Sequence, residues 1–196
     1  MMFKKNIKIP IEVSARHCHL SQDILEKLFG KVYKLKELKQ LSQPSDFACQ
    51  ETVDIKFGSR EIKNIRVVGP IREKTQIEIS LSDVASSGIM PPIKLSGDLS
   101  GSAGAILKGP AGQIEITEGL IIAQRHLHCG TDEAQKYKLK NGEIISVRVA
   151  GSRPVVFEEI VVRVKDNYKL CMHIDTDEGN AAGINKKGEG ALYLLS

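Results

Sequence analysis

The sequence predicts a mainly β protein with short helices, organised as two small β-barrel domains related by internal duplication. Three observations predict it: many short runs with a two-residue apolar period, few and brief helical stretches, and a set of residues that recurs in the same order in both halves. A chain of 196 residues accommodates two domains of roughly 100 residues each, expected here as 1–95 and 96–196. With 41% hydrophobic residues the chain is too apolar for disorder, and its charges are too evenly spread for a membrane span.

Ile7, Ile9, Ile11 and Val13 alternate with Lys8, Pro10 and Glu12, a half-buried strand in which Pro10 favours an edge position. Ser21 is placed to cap a short helix that stops at Gly30. Strand-like runs follow at Val53–Phe57, Ile62–Val68 and Thr75–Ser80, the first two separated by a Gly58-Ser59 turn. A helix capped by Ser82 and ending at Gly88 closes the first unit. Past the Gly- and Ser-bearing stretch from Ser96 to Ser102 the signals repeat: strand Leu120–Gln124, a Thr131-capped helix, strands Ile144–Val149, Ile160–Val164 and Cys171–Ile174, and a last helix up to Gly183. Specific residues support a duplication. Val13 to His19 parallels Ile122 to His128, including the Arg before each first His; Gly58-Ser59-Arg60 parallels Gly151-Ser152-Arg153; and Ile77 to Asp83 parallels Met172 to Glu178.

The chain holds five histidines, and four of them form two His-x-His pairs where independent placement would give about 0.1. On a strand, residues i and i+2 share a face, so His17 and His19 converge, as do His126 and His128. Paired neutral imidazoles suit zinc, cobalt, nickel or iron. The repeat nominates Glu78 as third ligand of the first set and His173 as third ligand of the second. Three protein ligands each is the count of open, catalytic sites. Alternation also places Cys18 away from its neighbours' site, and Cys129 and Cys171 are read on the faces opposite His128 and His173. The four cysteines show no Cys-x-x-Cys spacing and read as reduced thiols that pack. Arg72, six residues before Glu78, is placed to clamp a phosphate or carboxylate. Asp175 or Asp177 can orient a ligating imidazole, with Asp177 also suited to cap a helix. A net charge of +4 without a Lys/Arg stripe argues against nucleic acid, and Lys4, Lys5 and Lys8 read as a solvated face.

Arg-His-x-His-Leu-Ser (16–21), Gly-Pro-x-Arg-x-x-Thr-Gln-Ile-Glu-Ile-Ser (69–80), Ser-Gly-Asp-x-x-Gly-Ser (96–102), Ala-x-Arg-His-x-His (123–128) and Met-His-Ile-Asp-Thr-Asp-Glu-x-Asn-Ala-Ala-Gly (172–183) resemble the PduL-type phosphate acyltransferases, also called phosphate propanoyltransferases. The resemblance implies two β-barrels with a two-metal site at their junction, usually zinc, with cobalt an alternative. It implies metal ligation by His17, His19 and Glu78 and by His126, His128 and His173, phosphate binding by Arg72, and coenzyme A contacts at Val13, Ser14, Ala15, Arg66 and Asn180. The implied reaction converts acyl-CoA and inorganic phosphate into acyl phosphate and CoA, in a homodimer. Two departures stand out: Ser59 replaces a Lys common in the turn before Arg60, and Cys18 and Cys129 replace aliphatic residues.

Only 16 residues precede His17, with no signal peptide and no room for an amphipathic microcompartment-targeting helix, so a cytoplasmic form acting on acetyl-CoA or propanoyl-CoA without a membrane partner is expected. The same six ligands would also permit a metal-dependent hydrolase or isomerase, or a metal-binding module without catalysis.

Overall fold

A computed structural model describes residues 7–193. The chain runs through β1 (Lys8–Val13), β2 (His17–His19), α1 (Gln22–Phe29), β3 (Glu37–Gln40), β4 (Phe47–Phe57), β5 (Arg60–Gly69) and β6 (Gln76–Ile79). After α2 (Leu81–Val84) come β7 (Ile93–Lys94), β8 (Ala103–Gly109) and β9 (Gly112–Ala123). It ends with β10 (His126–Cys129), α3 (Thr131–Tyr137), β11 (Ile144–Val149), β12 (Val155–Val164), β13 (Cys171–Ile174), α4 (Thr176–Ala182) and β14 (Lys187–Tyr193). No described helix is long and apolar enough to cross a membrane.

Twelve of the fourteen described strands close into two six-membered rings, with β3 added beside β4 and β7 beside β9. One is β1-β13-β10-β12-β11-β14. In the other, β4 pairs β5, β5 pairs β2, β2 pairs β6, β6 pairs β9, β9 pairs β8, and β8 returns to β4. Every link of one ring has a counterpart of the same direction in the other, with β2, β4, β5, β6, β8 and β9 matching β10, β11, β12, β13, β14 and β1. Closure removes the open edges that a free sheet would expose.

The compact units nevertheless differ from the two halves of the chain. One is Arg16–Ala123; the other joins the chain up to Ala15 to the chain from Gln124 onward. A division at residue 95 cuts between β7 and β8, whereas β8 and β9 belong with β4 and β6. The first strand of each repeat is exchanged: β1 lies parallel to β13, and β9 lies parallel to β6. Each exchanged strand leads directly into an Arg-His-x-His segment of the other ring.

Alternation makes the two cores. Cys18, Val67, Ile77 and Leu120 point into the barrel of Arg16–Ala123, and Ile9, Ile11, Leu127 and Met172 point into the other. The histidines on either side of Cys18 and Leu127 therefore face outward from their barrels. Several boundaries shift from their expected places. Pro10 is not on an edge strand, since β1 is paired on both sides; but β13 pairing begins only at Ile11, so Pro10 has a single neighbour, Glu189, where its missing N–H matters least. α2 is capped by Ser80 rather than Ser82, because Asp83 at its third position accepts from the Ser80 backbone N–H at 3.2 Å. α3 takes Gly130 as its cap, one residue before Thr131. Ser21 does precede α1, but its side chain engages the Thr75 hydroxyl at 2.9 Å and the Asp23 carboxylate rather than capping a helix N–H. β3, β7, β8 and β14 have no counterpart among the expected strands, and β9 begins at Gly112, well before the expected start at Leu120. Lys8 is exposed and pairs with Glu189 at 3.0 Å, while Lys4 and Lys5 lie outside the described residues.

All four cysteines are free and buried. Burial pushes the Cys18 thiol far up, Cys49 and Cys129 up to about 11, and Cys171 up to about 12. An unfolded thiol ionises near about 8.5, so above that pH the native state holds protons the unfolded state has lost. Stability is therefore unaffected below about pH 8.5 and falls as pH rises toward the raised values, by at most about 1.4 kcal/mol per pH unit for each thiol. Urea midpoints measured from pH 7 to 10 should stay level and then drop, and a quadruple Cys→Ala variant should lose the drop.

Candidate functional site

In the unit Arg16–Ala123, β2 lies antiparallel to β6 with His17 opposite Glu78 and His19 opposite Gln76. This register brings the donor atoms of His17, His19 and Glu78 within 4.8 Å of one another. His17 Nε2 stands 3.7 Å from Glu78 Oε1, long for a direct hydrogen bond. Two donors each about 2.1 Å from a tetrahedral cation lie about 3.4 Å apart, close to that spacing. His19 Nδ1–H donates to the Val68 carbonyl at 2.9 Å, so its Nε2 lone pair is the one turned to the site. Burial, with the neighbouring His17 and Arg72, holds the His19 pKa well below its usual value, and the ring is neutral as ligation requires.

Around this group runs a network that the sequence reading did not single out. Gln76 Nε2 donates to Glu78 Oε1 and, at 2.8 Å, to Ser96 Oγ. The Gly97 N–H donates back to Gln76 Oε1 at 2.8 Å. Arg72 Nη1 also donates to Ser96 Oγ, at 3.1 Å, and its backbone N–H is held by the Leu20 carbonyl at 3.0 Å. The Ser96-Gly97 loop thus ties the guanidinium to the residue that holds the Glu78 carboxylate. Its presence in the Ser-Gly-Asp motif, together with the Gln of Thr-Gln-Ile-Glu, was the available signal.

The second histidine set has the same register in the other unit. β10 lies antiparallel to β13 with His126 opposite His173. The ring centroids are 4.6 Å apart for His126–His128, 4.9 Å for His128–His173 and 5.4 Å for His126–His173. His126 Nδ1–H donates to the Gln124 carbonyl at 2.9 Å, turning Nε2 to the group as in His19. His128 Nδ1 is buried without a hydrogen-bond partner, a state that a bound cation would relieve. Burial and the adjacent His126 and His173 push the His128 pKa down to about 2. Tyr168 packs on the His128 ring at 4.1 Å, a neighbour that spacing did not reveal.

Strand alternation is correct for Cys18 and Cys129, which sit in the cores. For Cys171 it is corrected: Cys171 and His173 are two apart on β13 and share a face. Glu12, Cys171 and His173 form a second tight group of donor atoms, also within 4.8 Å.

The Arg before each His pair has a role in both repeats. Arg16 pairs with Asp83 at 2.6 Å and Arg125 with Glu178 at 2.9 Å. Both acids are the third residue of the helix that follows β6 or β13, each in a capping box. Asp175, rather than Asp177, is the cap of α4, accepting from the Glu178 N–H at 2.8 Å. Among the residues assigned to coenzyme A, Ser14 follows β1 and its N–H donates to the Ile174 carbonyl at 2.8 Å. Asn180 lies on α4 beside Gly179, where a Cβ would come within 2.7 Å of Val13 Cγ2, so α4 and the end of β1 are packed together. Arg66 Nη1 donates to the Cys49 and Gln50 carbonyls at 2.9 and 2.8 Å, bracing β4.

The phosphate propanoyltransferase family model matches residues 10–185. The chain belongs to this family. Proteins named phosphate propanoyltransferase are similar over nearly the whole length: one from Clostridioides difficile is 45% identical over 183 residues, 93% of this chain and 88% of the relative. One from Thermotoga maritima is 42% identical over 185 residues, 94% of this chain and 88% of the relative. One from Listeria monocytogenes is 39% identical over 184 residues, 94% and 86% of the two chains. Family membership makes the chain an acyl-transferring enzyme and leaves the hydrolase, isomerase and non-catalytic readings without support.

Proposed function

We propose that this phosphate acyltransferase exchanges a short-chain acyl-CoA, acetyl or propanoyl, and inorganic phosphate for acyl phosphate and CoA, using one divalent cation held by His17, His19 and Glu78 and another held by His126, His128 and His173. The observation that carries the reading is the shared register: His17 faces Glu78 across β2–β6 as His126 faces His173 across β10–β13. Neutral imidazoles with a carboxylate or a third imidazole fit zinc, with cobalt the next best match. A cation at such donors supplies a Lewis acid for the thioester carbonyl and a soft partner for the departing sulfur.

The chain's own residues account for the remaining work. Arg72, anchored through Ser96, offers a guanidinium fork that neutralises phosphate and aims one oxygen at the carbonyl carbon. A C–O bond forms, the C–S bond breaks, and the electron pair leaves with sulfur; the proton lost by phosphate is available to the thiolate. Because all five histidines are assigned as ligands, none serves as general base. Gln76 positions Glu78 through its hydrogen bond. Val13 to Ala15 and Asn180, packed around the end of β1 and α4, are assigned to coenzyme A. Gln76→Ala should weaken cation retention about tenfold or more, read by competition with a chelator.

The deciding assay measures thiol release from acetyl-, propanoyl- and butanoyl-CoA, with and without phosphate, on protein of measured metal content. Phosphate-dependent release that is greatest with one of the two shorter chains supports the reading. Phosphate-independent release would return the chain to hydrolysis and overturn it.

A further inference from the structure

The two outward faces of the repeat are not equivalent around the third ligand. On β6, Glu78 is flanked by Gln76 two residues earlier and lies opposite Ile121 of β9. The corresponding places beside His173 are taken by Cys171, two residues earlier on β13, and by Glu12 on β1. Where one repeat has an amide and an aliphatic side chain, the other has a thiol and a carboxylate, both able to bind a cation. Strand register explains why they meet: Glu12 is opposite His173 in the parallel β1–β13 pair, and Cys171 shares the His173 face. Their donor atoms and that of His173 all lie within 4.8 Å of one another, as tight as the group at His17, His19 and Glu78.

We propose that Glu12, Cys171 and His173 form a cation site of their own, with one oxygen, one sulfur and one nitrogen donor, that takes a thiophilic divalent ion such as zinc or cadmium. A thiolate with an imidazole selects soft or borderline ions over magnesium or calcium, and three protein donors leave a fourth position for water. Binding releases the Cys171 thiol proton to solvent as the sulfur coordinates. Cys171 is buried, at 6% exposure, while Glu12 and His173 are half-buried, so the site is shielded on its sulfur side and reachable on the others. The imidazole of His173 is common to this group and to the His126–His128 pair. One neutral imidazole holds one cation, so the two groups are alternative seats for that ring; the sulfur donor belongs to this group alone, and a thiolate signal therefore reads it separately from acyl transfer.

The test titrates metal-free protein with cadmium and follows the ultraviolet thiolate-to-cadmium charge-transfer absorption. The wild-type protein should develop that absorption, and Cys171→Ser should lose it. Glu12→Gln should move the titration midpoint to higher cadmium by about tenfold or more, since losing a charged oxygen donor costs at least as much as losing an outer partner of a ligand. His126→Ala and Cys129→Ser should keep the absorption, although His126→Ala loses acyl transfer if the proposed function holds. Absence of the band in the wild-type protein, its persistence in Cys171→Ser, or an unchanged midpoint in Glu12→Gln would each overturn the site. Should Cys171→Ser fail to fold by circular dichroism, Glu12→Gln decides the matter by itself, because it changes a half-buried residue on the outer face.

Discussion

Arg72→Ala should lower phosphate-dependent thiol release about 100- to 1000-fold, the loss typical of removing one charge-stabilising donor from a preorganised site. The residue is held at two points, its backbone N–H donating to the Leu20 carbonyl and its guanidinium Nη1 to Ser96 Oγ, so the side chain is anchored before substrate arrives. Its charge is felt at His19, which places it beside the first ligand group. Removing it should raise the KM for phosphate more than that for acyl-CoA, since the thioester brings its own contacts. Arg72→Lys should recover only part of the loss, because an ammonium cannot make the bidentate contact. Thermal stability should hardly move: the side chain is only half-buried, and Gln76 still holds Ser96 when Arg72 is gone. Full activity in Arg72→Ala would remove phosphate orientation from this residue.

Much of the side-chain placement was legible because strand faces obey a period of two. His-x-His on a strand needs no tertiary knowledge, and the repeat supplied Glu78 and His173, which the register places opposite His17 and His126. What escaped was of two kinds. Gln76, Ser96 and Tyr168 act through contacts set by loop conformation, and polar residues of this type carry no spacing signal. Cys171 was assigned to the wrong face although the rule that places His17 and His19 together places Cys171 with His173; its partner Glu12 lies far away in the chain and is brought there only by the parallel β1–β13 pairing. In the fold, elements bounded by glycine were legible, such as α1 before Gly30 and α4 before Gly183. β8 and the first part of β9 were not, although Ala105 and Leu107 alternate as barrel residues, because a Gly- and Ser-rich stretch before them reads as a linker; only the end of β9, from Leu120, carried a strand signal.

A division at residue 95 does not coincide with the compact units, and the difference yields the second prediction: residues 96–196 produced alone should not fold, whereas residues 16–123 should. A repeat seen in sequence invites a cut between its copies, but the first strand of each copy completes the other ring. The fragment 96–196 lacks β1, so its barrel is open between β13 and β14, and it carries β8 and β9 without β4 and β6. Ile9 and Ile11, 0% and 1% exposed, leave with β1. Burying two such side chains contributes about 3 to 6 kcal/mol, against a total stability of about 5 to 15 kcal/mol for a domain. The ladder bonds of β1 on both sides are lost as well, and the newly free edges of β13 and β14 invite aggregation. Residues 16–123 retain all six strands of their ring and the core built on Leu20, Val67, Ile77 and Leu120. Circular dichroism and urea titration of the two fragments read the difference directly: a cooperative transition for 16–123 and none for 96–196. Adding a peptide of residues 7–15 should restore part of the structure to 124–196, because that peptide is the missing strand of the ring.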